Sequence, residues 1–415
     1  MATSDPSAGQ IIRIKDGVIG PTEPRLRSVR PKKISDYPGV PAPYLEVAKI
    51  YSNPLLLGPP ICDELIALVE HIYTEEEASL VCHLKALPGK TAAAVAAAAH
   101  RPVEEVRPIL ERLALEKFVL LSSGTGNKKR YYLLPLMPGA FEMVLIRTSL
   151  DTLTAWHRRF AELIAALYET GYFVDYAEYP FSTVRYVPVG QTIEAHPMAL
   201  PSDRLEEVLD RYKVFAVGLC QCRMAEEIVS RGCGRSLENC VGFGNVAELL
   251  IRNGKMRRVE KKNVLEIKAE AEAAGLATWM FETDLGKSSG GASCSCCGCC
   301  CGALRMISEF NAPGMIAPPH FMPKTDLTKC TYCGRCAKVC PVGATVVDVK
   351  GKSYQHLTER CIGCGLCAVA CDKQHAIQME PIPKYREPPR SLISALFQIA
   401  PNYLRNAWSV WRKYR

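Results

Sequence analysis

The chain has 415 residues, with 51 Lys and Arg against 43 Asp and Glu, and a formal net charge of +8. At roughly 100–200 residues per domain, this length predicts two to four domains. No stretch approaches about 18 consecutive apolar residues, so we expect no transmembrane helix. The first ten residues lack the features of a signal peptide, so we expect a cytoplasmic protein. Its 20 cysteines are therefore expected to bind metal rather than to form a disulfide framework.

The positive charge is concentrated in the C-terminal tail. Residues 381–415 contain seven Lys and Arg and one acidic residue, a net +6, which leaves +2 for the other 380 residues. Such a distribution is only a weak argument for nucleic acid as a partner.

Residues 1–60 are predicted to form an extended, basic arm. Nine prolines lie between positions 21 and 60, and proline interrupts helices because it lacks an N–H group and fixes φ. We therefore expect no long helix in this segment, and a path over the surface of other domains.

Residues 61–146 show the helical period three times and then two β-type runs. Thr74 before three glutamates begins one helix, a second is rich in alanine, and Pro102 begins the third. The runs Phe118–Leu121 and Arg130–Leu134 predict a hairpin. This order resembles the small winged-helix modules of bacteria, which often bind DNA through the third helix. Here that helix carries more acidic than basic residues, so we expect a structural or protein-docking module and do not expect nucleic acid as a partner.

Residues 147–215 predict a mixed α/β segment. Asp151–Glu169 has the apolar period of an amphipathic helix, and Pro201–Arg211 predicts another. Val214–Leu219 predicts a buried strand that leads into the first cysteine motif.

The first cysteine motif has four members with gaps of one, ten and six residues: Cys220, Cys222, Cys233 and Cys240. Four cysteines can hold a [4Fe-4S] cluster or a tetrahedral zinc ion. Because the spacing lacks the Cys-x2-Cys pairs of structural zinc sites, we favour a cluster. Zinc and reduced structural thiols remain alternatives.

The second motif places six cysteines in eight residues: Cys294, Cys296, Cys297, Cys299, Cys300 and Cys301. One metal cannot bind all six from a single helix or strand, so they are expected to be shared or to lie in a loop. The ten central cysteines are enough for two further clusters with two left over, or for one unusual centre. We expect one or two further iron–sulfur clusters here, with zinc as the alternative.

A four-cysteine motif occurs twice near the C-terminus, as CTYCGRCAKVC at 330–340 and CIGCGLCAVAC at 361–371. Two copies of Cys-x2-Cys-x2-Cys-x3-Cys are typical of two-cluster bacterial ferredoxins. Residues of about 325–380 thus resemble a bacterial-type dicluster ferredoxin domain. The resemblance implies one [4Fe-4S] cluster on Cys330, Cys333, Cys336 and Cys371, and a second on Cys361, Cys364, Cys367 and Cys340. Asp372 departs from the pattern, which usually has proline there.

Four basic residues lie beside these motifs and are expected to offset the anionic clusters and to guide an acidic partner: Lys329, Arg335, Lys338 and Arg360.

Two broader resemblances concern the middle of the chain. LCQCR followed by the later cysteine-rich run looks like uncharacterised iron–sulfur proteins of anaerobes that end in a dicluster ferredoxin. The two CCG triplets, at 296–298 and 300–302, resemble the cysteine-rich domains of heterodisulfide reductases. That second resemblance is incomplete, because the later Cys-x2-Cys spacings belong to the ferredoxin motifs.

After a proline-rich linker at 381–390, the tail predicts a basic amphipathic helix. Its apolar positions include Leu392, Tyr403 and Trp411, with Pro401 as an interruption, and Arg405 and Arg412 add positive charge. The pattern fits a helix on a membrane surface, which would place the protein on the inner face of a membrane. It fits equally a helix that docks on a partner or on this protein itself.

Together these segments predict an α+β multidomain chain: an arm at 1–60, a winged-helix-like module at 61–146, a mixed α/β cysteine-rich domain at 147–320, a dicluster ferredoxin domain at 321–380, and a linker with an amphipathic basic helix at 381–415. One-electron transfer between redox partner proteins, alone or within an anaerobic redox complex, is the predicted function. The alternatives are an iron–sulfur oxidoreductase of disulfide-reductase type that uses the 220–301 cysteines, and a redox-sensing winged-helix regulator.

Overall fold

The structure is a computed structural model that describes residues 11–86, 88–177, 185–194, 196–283, 289–383, 385 and 392–414. Part of the predicted linker therefore lies outside the described residues. The α-helices are α1 (Ala42–Tyr51), α2 (Asp63–Ile72), α3 (Glu75–Val81), α4 (Ala92–Ala99), α5 (Val103–Leu115), α6 (Phe141–Leu145), α7 (Ala155–Glu169), α8 (Leu205–Leu209), α9 (Gln221–Ile228), α10 (Asn245–Arg252), α11 (Lys261–Ala273), α12 (Gly302–Ser308), α13 (Arg335–Lys338), α14 (Leu366–Ala370) and α15 (Leu392–Tyr414).

The strands are β1 (Ile12–Lys15), β2 (Val18–Pro21), β3 (Lys90–Thr91), β4 (Leu120–Ser123), β5 (Arg130–Leu133), β6 (Arg185–Val187), β7 (Phe215–Leu219), β8 (Glu238–Gly244), β9 (Arg257–Val259), β10 (Ala277–Thr283), β11 (Gly290–Cys296), β12 (Phe321–Thr325), β13 (Thr345–Asp348), β14 (Ser353–His356) and β15 (Ile377–Pro381). The chain divides into two compact units. Unit 1 comprises residues 1–26, 147–149 and 177–403, and unit 2 comprises residues 27–146, 150–176 and 404–415.

Unit 1 is built on antiparallel sheets. The largest has six strands in the order β6-β10-β11-β8-β7-β9, with α10 and α11 packed on it. A four-stranded sheet, β1-β2-β13-β14, and the pair β12-β15 lie around the repeated cysteine motif. The mixed α/β composition agrees with the predicted α+β class.

The N-terminal segment differs from the extended arm that its prolines predict. Residues 12–21 form a hairpin, and its second strand pairs with β13 through Ile19 and Val347. Residues 42–51 form a ten-residue helix whose N-cap is Pro41 and whose second position is Pro43. Proline is tolerated in the first helical turn because the N–H groups there have no intrahelical partner. These prolines therefore begin a helix instead of preventing one.

Unit 2 contains α1–α7 and the three-stranded sheet β3-β5-β4. Between Glu75 and Leu133 the order is helix, short strand, two helices and a hairpin, and Leu80, Val95, Leu110 and Leu133 are buried in the core. This order is the one expected of a winged-helix module, and that assignment stays a prediction.

The C-terminal helix is continuous through Pro401, where the sequence predicted an interruption. An internal proline removes one backbone hydrogen bond of a helix. In the 23-residue helix α15, the remaining backbone hydrogen bonds keep the helix continuous. Within unit 2, Ala407 and Val410 are buried, and the Asn406 side-chain amide donates to the carbonyl of Tyr176 at 2.5 Å. In the described part of the chain, every helix is too short or too polar to cross a bilayer.

A buried carboxylate joins two helices of unit 2. Glu77, which is 1% exposed, accepts hydrogen bonds from Lys117 Nζ at 2.6 Å, from Arg112 at 3.0 Å and from the N–H of Thr74 at 2.9 Å. Burial opposes ionisation of Glu77, but these donors outweigh it and lower its pKa below the usual 4.5. The carboxylate is therefore charged at neutral pH, and its ion pairs are fully formed.

We expect the Glu77→Gln substitution to lower the local free energy of unfolding by about 2 kcal/mol at pH 7, because it leaves Lys117 without its counter-charge. Hydrogen-exchange mass spectrometry of peptides from α3 and α5 measures this change. Glu104→Gln, at an exposed position of α5, is the control and is expected to change protection by less than about 0.5 kcal/mol. Equal protection in both variants would contradict a stabilising role for Glu77.

Candidate metal centres

The repeated cysteine motif lines two separate pockets in unit 1. Quartet I lines the first and consists of Cys330, Cys333, Cys336 and Cys371. Quartet II lines the second and consists of Cys340, Cys361, Cys364 and Cys367. In each pocket, three cysteines come from one copy of the motif and the fourth comes from the other copy. The structure thus brings together the two ligand sets that the ferredoxin resemblance implies.

Glycines shape both pockets. Gly334 and Gly365 follow the second cysteine of their motifs and precede α13 and α14, with φ of 73° and 77°. This left-handed conformation is strained for a residue with a Cβ atom, whereas glycine adopts it freely. Backbone N–H groups also point at the sulfurs, as from Ala344 to Cys340 Sγ at 3.1 Å. Such N–H groups stabilise a charged sulfur, which fits a bound cluster.

The two quartets differ in their exposure. Cys333 of quartet I is exposed, and a hydrogen bond from the backbone N–H of Arg335 lowers the pKa of its thiol. Cys340 and Cys364 of quartet II are buried, and burial raises the pKa of both thiols. Quartet II thiols become thiolates only when a metal replaces the proton, since a coordinating thiol is deprotonated.

Asp372, the departure from the ferredoxin pattern, is paired with an arginine of the other motif. Arg335 donates to its carboxylate at 2.6 Å and to the side-chain oxygen of Gln374 at 3.0 Å. The negative charge of the Asp372 carboxylate near quartet I is therefore balanced by Arg335.

Arg360, which the sequence suggested as a guide for an acidic partner, is 4% exposed. It donates to the carbonyl of Val342 at 2.9 Å and to the Asn311 side chain at 2.7 Å. Its charge therefore lies inside the protein beside Cys340, and a partner cannot contact it directly.

The ten central cysteines do not group by motif. Quartet III consists of Cys220, Cys222, Cys296 and Cys301, and quartet IV consists of Cys233, Cys297, Cys299 and Cys300. Each quartet takes members from both motifs. The remaining two, Cys240 and Cys294, form a pair with their sulfurs 4.0 Å apart.

Quartet III gathers at the starts of two helices. Cys220 is the N-cap of α9, and Cys222 lies in its first turn; Cys301 is the N-cap of α12. The Cys222 thiol interacts with both Cys220 and Cys301, and Cys296 interacts with Cys301. Helix N-termini favour negative charge, so these positions suit thiolates.

Quartet IV is the tightest group. Its four sulfurs lie within 4.8 Å of one another. Cys233 Sγ is 3.9 Å from Cys297 Sγ, and Cys299 Sγ is 3.7 Å from Cys300 Sγ. Cys297 and Cys300 are buried against Ala271 and Leu276, which shield one side of the group from water.

The cysteines of residues 294–301 belong to three groups, namely quartet III, quartet IV and the pair with Cys240, because neighbouring side chains of this run point in different directions. In a strand, alternate residues point to one face, so Cys294 and Cys296 of β11 lie on the same side of the sheet. The pairing of Val241 with Ser293 brings Cys240 beside Cys294 on the neighbouring strand. The turn after β11 then directs Cys297 to quartet IV and returns Cys301 to quartet III.

Two buried cations lie among these sulfurs. Arg223, which is 1% exposed, donates from Nε to Cys297 Sγ at 3.5 Å and also donates to the carbonyls of Ser236 and Ser295. Lys268, which is 2% exposed, lies 3.1 Å from Ser295 Oγ and near Cys240, Cys294 and Cys296, and burial lowers its pKa.

A buried ion-pair network joins the two helices of quartet III. Arg305 of α12 donates to Glu226 of α9 and, at 2.6 Å, to Glu309. Arg231 donates to Glu226 at 2.7 Å. The network fixes α9 against α12 and thus positions Cys220, Cys222 and Cys301.

Sequence reasoning missed the residues that surround the cysteines. Arg223 follows Cys222 directly in LCQCR, and this adjacency is a signal that could have identified it. Lys268, Glu226 and Arg305 lie in ordinary helical patterns, and nothing in the sequence distinguishes them from surface residues. Their burial follows only from how the helices pack on the sheet.

Comparison with known proteins concerns the C-terminal part of the chain. Residues 322–372 match the 4Fe-4S dicluster domain family. An uncharacterised ferredoxin of Methanocaldococcus jannaschii is 39% identical over 82 residues, which are 19% of this chain and 46% of that protein. A second is 44% identical over 48 residues, which are 11% of this chain and 62% of that protein.

The chain thus spans less than two thirds of the length of either ferredoxin. A comparison with solved structures gave no match. The family match covers both copies of the repeated motif and confirms the resemblance predicted for about 325–380. The chain therefore contains a 4Fe-4S dicluster ferredoxin domain.

Proposed function

We propose that this chain is a multi-centre iron–sulfur electron-transfer protein, or the electron-transfer subunit of an anaerobic redox complex in the cytoplasm. The observation that carries the proposal is the pair of four-cysteine pockets within a dicluster ferredoxin domain. When bound there, [4Fe-4S] clusters supply one-electron chemistry. Quartets I and II are the proposed ligand sets, and the surrounding residues set exposure and charge.

The exposure of the two quartets indicates which of them exchanges electrons with a partner protein. Cys333 of quartet I is exposed, so a redox partner protein can approach this quartet. Lys338, which is exposed beside the first motif, adds positive charge that favours an acidic partner, whereas Lys329 pairs with Asp326 at 3.4 Å. Quartet II is more deeply buried, with Cys340 and Cys364 buried and Cys361 and Cys367 partly buried.

Quartet III is the proposed third iron–sulfur site. Cys296 and Cys301 share one apolar core with Cys340 and Cys364 of quartet II. Four neighbouring thiols, of which Cys222 is partly buried and the other three are buried, lie next to a ferredoxin quartet and fit a further centre better than they fit packed cysteines.

A short segment connects quartets II and III. Tyr186 Oη lies 3.8 Å from Cys301 Sγ, and the N–H of Val189 donates to the carbonyl of Cys364 at 3.0 Å. Three residues of chain span at most about 11 Å, and Cys301 and Cys364 belong to the same apolar core, so the two quartets are neighbours. Tyr186 is buried, and burial raises the pKa of its hydroxyl, which therefore stays neutral between them.

The crossed ligand sets predict how cysteine substitutions combine. Cys330→Ala and Cys371→Ala belong to quartet I, so each alone and both together should lower the iron content by about four per chain. Cys330→Ala with Cys340→Ala removes a ligand from each quartet and should lower it by about eight. Iron and acid-labile sulfide analysis of anaerobically purified protein measures both losses.

Cys82→Ala, a substitution in unit 2, is the control and should leave the iron content unchanged. If the Cys330→Ala/Cys371→Ala double variant loses twice as much iron as either single variant, the two cysteines do not share a cluster. That result would contradict the crossed assignment.

The third site is tested by Cys220→Ala. The wild-type chain should contain about twelve irons, and the variant about eight, with the EPR signals of the two ferredoxin clusters unchanged. About eight irons in the wild type, with no effect of the substitution, would show that quartet III holds no cluster. Restoration of the third signal by Cys220→Ser, which keeps an oxygen ligand, would support direct ligation.

The disulfide-reductase alternative gains no support from the cysteine grouping. Cys296 and Cys297 belong to different quartets, and so do Cys300 and Cys301. Neither CCG triplet therefore acts as a unit on one site.

The regulator alternative requires a basic surface on the winged-helix-like module. Lys129 of the hairpin instead pairs with Glu111 of α5 at 2.6 Å, and Arg107 of α5 donates to Asn127 at 2.9 Å. These basic side chains hold the hairpin against α5, so fewer positive charges are available to bind DNA phosphates. We therefore propose a structural or protein-docking role for this module.

One face of α15 remains exposed beside its buried face. Leu404, Trp408 and Trp411 are 57%, 57% and 44% exposed, and the Arg412 guanidinium lies 4.8 Å from the Trp408 ring centre. Exposed tryptophan with leucine and arginine on a basic tail favours the surface of an anionic membrane. We propose peripheral attachment there.

We expect the full-length protein to co-sediment with vesicles that contain phosphatidylglycerol, more strongly at low salt, and Trp408→Ala to weaken this binding severalfold. Leu115→Ala, at an exposed position of α5, is the control and should have no effect. Absence of vesicle binding in the wild type would contradict the proposal and leave this face for a partner protein.

A further inference from the structure

The geometry of quartet IV points to a metal site of a different kind from the iron–sulfur clusters: we propose that Cys233, Cys297, Cys299 and Cys300 bind a single zinc ion as a tetrahedral four-thiolate site. This inference does not depend on the electron-transfer proposal, because it concerns other ligands and another metal.

The spacing of the sulfurs carries the inference. A zinc–thiolate bond of about 2.3 Å in a tetrahedron places the sulfurs about 3.8 Å apart. The distances of 3.9 Å between Cys233 and Cys297 and of 3.7 Å between Cys299 and Cys300 agree with this value. All four sulfurs lie within 4.8 Å of one another, so one ion can contact all of them.

A cubane requires a wider arrangement. Each of its cysteines binds a different iron, so an iron–iron edge lies between any two cysteine sulfurs, which are then roughly 6 Å apart. The ferredoxin quartets provide an internal comparison. Among the residues that the structure describes, quartet IV alone has three or more possible metal ligands within 4.8 Å, and quartets I and II do not. The same chain thus contains wide quartets and one narrow quartet.

The charges around quartet IV fit a closed zinc site. Four thiolates and Zn²⁺ carry a net charge of −2. Arg223 contacts Cys297 Sγ at 3.5 Å, and Arg235 contacts Cys299 Sγ at 3.9 Å, so two positive charges balance the site. Hydrogen bonds to the ligands orient them and stabilise the charged form.

The donor set also selects the metal. Four thiolates in a tetrahedron are typical of zinc and of iron, and Ca²⁺ or Mg²⁺ would require oxygen ligands. With four protein ligands, no position remains open for substrate, which is typical of structural zinc.

Such a site has a definite structural role. Cys233 lies in the loop between α9 and β8, and the other three ligands lie in the turn between β11 and α12. The ion would connect these two segments next to Cys296 and Cys301, and would thereby hold two ligands of quartet III in place.

The test uses full-length protein produced under iron-replete, anaerobic conditions. Elemental analysis should find one zinc per chain, and zinc K-edge X-ray absorption should find four sulfur neighbours at about 2.3 Å. Cys299→Ala should lose the zinc, because three thiolates bind it much more weakly. Cys240→Ala, which changes a neighbouring cysteine outside quartet IV, is the matched control and should retain it.

Three results would overturn the proposal: zinc absent from the wild type, a single iron with four sulfur neighbours in its place, or about four additional irons that Cys299→Ala removes. The X-ray absorption result on the wild type stands even if Cys299→Ala does not fold. Failure of the third iron–sulfur site appears separately, as an unchanged iron content in Cys220→Ala, so the two proposals are distinguishable.

Discussion

As metal-bound thiolates, the cysteines of unit 1 would place negative charge in its interior, and buried cations lie beside them. A buried charge without a partner costs several kcal/mol, so each group of sulfurs requires cations or N–H donors beside it. Arg223, Lys268 and Arg360 are each at most 4% exposed and lie beside cysteines. Their guanidinium and ammonium groups therefore lie where the charge of metal-bound thiolates would need to be balanced. For Lys268, the sequence position gives no sign of this.

The positions of the cysteines follow from ordinary secondary structure. Strand alternation places Cys294 and Cys296 on one face, and a tight turn separates Cys297 from Cys301. One short run thereby supplies quartet III, quartet IV and a cross-strand partner for Cys240. Two of the six cysteines are held in β11, and the ion pairs between α9 and α12 fix the position of Cys301 at the other end of the run.

Eighteen of the 20 cysteines lie in unit 1, while the described part of unit 2 is organised by apolar packing and salt bridges. Its two cysteines, Cys62 and Cys82, lie in different helical segments, and burial raises the pKa of the Cys62 thiol to about 12. The buried carboxylate of Glu77 is stabilised by Lys117 and Arg112. As with the cysteine groups of unit 1, opposite charges lie next to the buried charge. This organisation is consistent with the structural or docking role proposed for the winged-helix-like module.

The sequence by itself determined the ferredoxin domain, because its ligands are local: three cysteines two residues apart enclose one corner of a cluster, wherever the rest of the chain lies. It also determined that the ten central cysteines are more than one site requires. Their division was decided only by tertiary structure, because Cys233 meets Cys297 across 64 residues and Cys222 approaches Cys301 across 79. Strand register and the packing of α9 against α12 determine which cysteines come close together, and neither can be predicted from cysteine spacing.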